Sequence, residues 1–63
     1  MRIDRKKYEL ACARACIGFK DIVEKGIPKG TLCRIIGEAE IRPETIGKLA
    51  KILECDVTEI IKD

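Results

Sequence analysis

Apolar residues in this chain recur at intervals of three and four, the period of helices with one buried face. Over residues 4–16, Tyr8, Ala11, Cys12, Ala15 and Cys16 fall on one uninterrupted arc. That arc points both cysteines at a core. Arg2, Lys6, Lys7, Glu9 and Arg14 lie on the other side, interspersed with Ile3, Leu10 and Ala13, and Leu10 is the apolar residue left over. A second segment, 19–25, opens after Gly18, a modest N-cap. Phe19, Ile22 and Val23 share its apolar face, and Gly26 stops it as a C′ glycine does. A third segment, 29–36, follows Pro28, whose missing N–H suits a first turn. Leu32, Ile35 and Ile36 make its buried stripe; Lys29, Gly30, Cys33 and Arg34 face away, and Gly37 ends it. A fourth runs from Pro43 to about Glu54 with Ile46, Leu49, Ala50 and Leu53 on its core side. Gly47 lies inside it at ~1 kcal/mol relative to alanine, marking a close helix approach or a tolerated defect. Asp56 with Glu59 is a capping-box pattern that opens a last short helix, folding Val57, Ile60 and Ile61 back. The expectation is an all-α, compact bundle of five short helices in one domain, residues 1–63.

Composition narrows this in three ways. A chain of 63 residues buries only ~60% of the surface its unfolded form exposes, so stability is marginal. With Tyr8 and Phe19 the only aromatics, the core is aliphatic. The net charge of +2 is unevenly placed: residues 1–35 carry nine basic and four acidic side chains, residues 36–63 four basic and seven acidic. That polarity suits a surface that meets a polyanion with its N-terminal half, although ordinary solvated helix faces give the same composition.

Other chemistries find little support. No apolar run approaches the ~20 residues of a membrane span, and the charged N-terminus lacks an apolar signal region, so a soluble cytoplasmic protein is expected. Cys12, Cys16, Cys33 and Cys55 form no C-x-x-C pair and there is no histidine, which argues against zinc and for reduced, buried thiols. No nucleophile sits beside a base and no phosphate loop is present, so neither an enzyme nor a cofactor is expected.

Two short helices joined by Gly26-Ile27-Pro28, with a third behind them, form a helix-turn-helix pattern. In that motif the second helix is built to enter the DNA major groove. The stretches G-I-P-K-G-T-L-C-R-I-I and I-R-P-E-T-I-G-K-L-A-K-I-L-E-C-D-V-T-E-I-I carry a more specific likeness. In order and distance they resemble the turn, recognition helix, fourth helix and fifth helix of Xre/Cro-type, lambda-repressor-like domains. The likeness covers residues 8–62.

That resemblance implies a DNA-binding transcription regulator. Its base-reading positions fall on Lys29, Gly30 and Arg34, and its phosphate-contacting position on Phe19, where the family prefers glutamine. Its backbone-contacting loop falls on residues 37–42, including Arg42. Thr31 can donate to a phosphate or bond its own backbone. Four departures accompany the likeness. The second helix is one residue short, Phe19 is apolar, Gly30 has no side chain, and Glu38 and Glu40 bring negative charge to the loop. A buried Arg–Glu pair of some members is replaced by Cys12 and Ile36, an apolar substitute that costs little. Cys33 lies between Lys29 and Arg34, where positive charge favours the thiolate. The implied partners are double-stranded DNA and a second copy of the chain in a weak homodimer, through Leu10, Ile60 and Ile61. The alternative is a protein-interaction module on the same fold, docking through an exposed Phe19 beside Leu10.

Overall fold

The computed structural model describes residues 1–62; Asp63 lies outside them. Four α-helices follow in order: α1 (Arg5–Ala15), α2 (Phe19–Glu24), α3 (Lys29–Ile36) and α4 (Pro43–Ile52). No strand occurs among the described residues, and the fifth helix expected after Asp56 is a single 3-10 turn, Val57–Glu59. Its capping box is present. The Asp56 carboxylate accepts from the Thr58 N–H at 3.2 Å, and Glu59 accepts from the Asp56 N–H at 2.8 Å. Three residues between a cap and the buried Ile60 leave no length for an α-helical turn to propagate.

The helix starts follow local chemistry. Asp4 caps α1 by accepting from Lys6 and Lys7 N–H groups at 3.0 and 3.2 Å. Before α2, Asp21 reaches back to accept from the Gly18 N–H at 3.0 Å, while the glycine cap itself offers no side-chain acceptor to the first turn. Pro43 occupies the first turn of α4, and the Arg42 side chain makes no capping bond there.

All four helix ends carry the same paired bonds. After α2, the Gly26 N–H bonds Val23 C=O and the Ile27 N–H bonds Ile22 C=O. Matching pairs close α1 at Cys16 and Ile17, α3 at Glu38 and Ala39, and α4 at Glu54 and Cys55. This arrangement needs a left-handed residue in its middle, usually glycine. Gly26 (φ 122°) fits, but Cys16 (φ 56°), Glu38 (φ 59°) and Glu54 (φ 54°) hold the other three places. Cys16 is therefore exposed at a helix end, and Ala15 is only half-buried, contrary to the arc that placed both in the core. Gly37 is not the left-handed residue after α3; at φ −78° it precedes Glu38, which is.

The core combines the expected stripes with residues outside any helix. Ile22, Leu32, Ile35, Ile46 and Leu49 are fully buried. So are Ile3, Ile27 and Ile60, which lie in connecting or terminal segments. Residues 1–4 and 60–62 form a seam: Ile3 bridges Ile61 antiparallel, the Asp4 N–H donates to Ile60 C=O and the Lys62 N–H to Arg2 C=O. The same N-terminal segment exchanges bonds with Ile41: its N–H donates to Met1 C=O at 2.8 Å, and its carbonyl accepts from the Met1 amine at 3.1 Å. The Tyr8 hydroxyl bonds the Cys12 thiol, and burial raises the pKa of both groups. Cys12 and Cys55 are half-buried, and all four thiols are free. Gly47 has no atom within 4 Å of where a Cβ would lie, so it marks no close approach. No helix among the described residues is long and apolar enough to cross a membrane.

Candidate nucleic-acid interface

The α2–α3 corner is built around Ile27. Two residues separate Gly26 from α3, and the first of them, Ile27, drives its side chain fully into the core beside Ile22. The Gly26 carbonyl accepts from Lys48 Nζ at 3.0 Å, which ties the corner to α4. α3 starts cleanly, its first backbone bond running from the Leu32 N–H to Pro28 C=O at 2.9 Å. With Leu32 and Ile35 buried, helical periodicity turns Lys29, Gly30, Cys33 and Arg34 outward, and all four are exposed. Thr31 is half-buried.

The side chains singled out by sequence fall along two grooves beside α3. Phe19 and Lys29 share one with Lys20, Val23 and Glu24. Phe19 is half-buried and packed against the core, so its ring is not a free patch. Leu10, at 66% exposure, lines a different groove with Ala13 and Arg14. The second groove beside α3 brings together Thr31, Arg34 and Arg42, joined by Thr45, Glu40 and Ile41. Arg34 Nη2 donates to the Glu40 carbonyl at 3.2 Å, which turns the guanidinium toward the start of α4. Gly30 has open space around it. Thr45 was not among the residues expected here; its only sequence signal is its place in the first turn after Pro43.

Charge is distributed unevenly. The Glu38 carboxylate accepts from the Arg5 N–H at 3.3 Å and from Lys62 Nζ at 3.3 Å. Glu40 bonds the Met1 amine and lies 3.8 Å from Arg2 Nε. Both pKa values are lowered, Glu38 chiefly by the Arg5 backbone bond and Glu40 chiefly by its bond to the amine. The acidic loop is thus held by cations and donors of the terminal segments and α1. Arg5 pairs with Glu9 at 3.4 Å and Arg14 with Glu59 at 3.0 Å. Among the described residues, Lys6, Lys20, Lys25, Lys29, Arg34, Arg42, Lys48 and Lys51 make no ion pair. Five of the eight are the cations of α2, its turn, α3 and the cap of α4; Lys6 lies on α1, and Lys48 and Lys51 on α4.

The proposed dimer surface loses one member. Ile60 is fully buried and Ile61 half-buried, which leaves Leu10 alone exposed. Among the described residues no cluster of three or more metal-ligating side chains is formed. Comparison with protein-family models, curated proteins and solved structures gave no significant match.

Proposed function

We propose that this protein is a sequence-specific DNA-binding transcription regulator of the helix-turn-helix class, presenting α3 to the major groove and acting as a weak homodimer. The observation that carries the reading is the set of unmatched cations around the outward face of α3. Arg2, Arg5, Arg14 and Lys62, of the terminal segments and α1, lie against carboxylates, while every cation of α2, its turn, α3 and the α4 cap is unmatched. Unmatched lysines and arginines around an exposed helix are what a phosphate backbone neutralises, with release of its counterions. Helix α3 has the length and outward face that groove insertion requires. Internal pairing of Glu38 and Glu40 removes the electrostatic objection that the sequence raised. A single module this small has limited contact area, and two copies on successive major grooves supply the remainder.

Selection from random-sequence duplexes, at low and near-physiological salt, tests this. An enriched, roughly palindromic motif is the expected outcome. Motif-free binding that vanishes near physiological salt overturns it. A second reading, a protein-docking module on the same fold, draws on the apolar groove formed by Phe19 and Val23 beside Lys29. Docking there is insensitive to salt, whereas duplex binding weakens steeply with it.

A further inference from the structure

We propose that the groove between α3 and the start of α4 clamps one backbone phosphate of the bound duplex, so that Arg34 is a phosphate contact and not a base reader. The inference rests on the DNA-binding reading above. The family resemblance puts a base-reading position on Arg34. The structure points its guanidinium elsewhere, toward the loop, where Nη2 is held by the Glu40 carbonyl at 3.2 Å.

The groove offers the right chemistry for a tetrahedral anion. Arg34 and Arg42 contribute two guanidiniums, and Thr31 and Thr45 two hydroxyls. Arginine's planar fork matches phosphate oxygens and stays charged. The carbonyl that holds Arg34 orients it without cancelling its charge, because the acceptor is neutral. The one acid at the rim, Glu40, has its carboxylate engaged by the Met1 amine and Arg2. A cavity with two unpaired cations, two hydroxyls and no free carboxylate favours an anion over a base edge, whose recognition needs a donor and acceptor pattern in one plane. Base reading then falls to Lys29 and to the exposed surface around Gly30 and Cys33, which stays open for close approach.

The test compares wild type, Arg34→Ala and Lys29→Ala on two duplexes of equal length: the best site from selection and a scrambled sequence. Arg34 is exposed, so the variant folds, and circular dichroism checks that. Arg34→Ala is expected to weaken both duplexes by the same factor, about tenfold, and to reduce the slope of log K against log salt by about 1, with the selected motif unchanged. Lys29→Ala instead lowers the preference between the two duplexes. If Arg34→Ala weakens only the selected site and flattens one position of its motif, Arg34 reads a base and the proposal fails. If wild type shows no preferred sequence, sequence-specific reading fails, while the clamp is still judged by the salt slope on scrambled duplex. A slope lowered by about 1 in Arg34→Ala upholds the clamp, and an unchanged slope overturns it.

Discussion

The terminal seam and the α2–α3 corner treat their polar groups in opposite ways. In the seam, residues 1–4 and 60–62 exchange backbone bonds, Glu38 and Glu40 collect cations and donors, and Ile3 and Ile60 are fully buried beneath. At the corner, backbone groups are satisfied within the helices and the turn, but Lys25, Lys29, Arg34 and Arg42 find no carboxylate. Both regions rest on the same core, so packing does not explain the contrast. Groups that a fold satisfies internally hold its own elements together; groups left unmatched at the surface are available to something else. In a domain this small, the second arrangement adds little to stability and is informative about function for that reason.

The largest effect should come from breaking the seam. Ile3→Ala removes a fully buried side chain and should cost about 2–5 kcal/mol, enough to unfold a large fraction of a marginal domain. Urea unfolding followed by circular dichroism measures it, and a loss below ~1 kcal/mol would mean that the seam is peripheral. The corner should behave in the reverse sense. Lys29→Ala should leave stability within about 0.5 kcal/mol of wild type, because an exposed unpaired lysine holds nothing in the fold, while duplex affinity falls about tenfold. A variant that lost stability and kept its affinity would invert the contrast.

Smaller changes sharpen it further. Glu54 sits left-handed after α4 with no bonded side chain. Glycine there removes steric strain at some entropic cost, so Glu54→Gly should gain about 0.5–1 kcal/mol in urea unfolding without altering duplex binding. The pH response is the gentlest probe and belongs to the seam. Glu38 and Glu40 have folded pKa values below their ordinary value of 4.5. Their stabilisation is complete above that value and is lost as pH falls through the lowered values. The urea midpoint should therefore drop below about pH 4.5, and Glu38→Gln with Glu40→Gln should shrink that drop. An undiminished drop in the double variant would assign acid sensitivity to Asp56 and Glu59, whose pKa values are also lowered.

Much of the helical framework was legible from the chain. The 3.6-residue period and the capping residues act over one or two turns, so Ile22, Leu32, Ile46 and Leu49 identified their faces, and Asp4, Gly26, Pro43 and Asp56 marked boundaries close to those observed. The outward face of α3, with Lys29, Gly30 and Arg34, followed from the same period.

Tertiary structure decided the rest, because the remaining questions concern partners distant in the chain. Ile3, Ile27 and Ile41 lie where no helical period applies, and their burial depends on what the fold lays over them. Cys16, Glu38 and Glu54 take the left-handed place that sequence rules reserve for glycine, since the paired closing bonds and the packing beyond each helix outweigh a local penalty of ~1–2 kcal/mol. A helix too short to propagate became one turn, held between Asp56 and a buried Ile60. The electrostatics of the loop reversed as well. Glu38 and Glu40 read as repulsive in sequence, yet bonds to the Arg5 N–H, Lys62 and the Met1 amine engage them, because chain closure brings the two ends to that loop. Sequence supplied the charges and the helices that carry them. Only the folded chain settled which charges found partners and which remained unmatched.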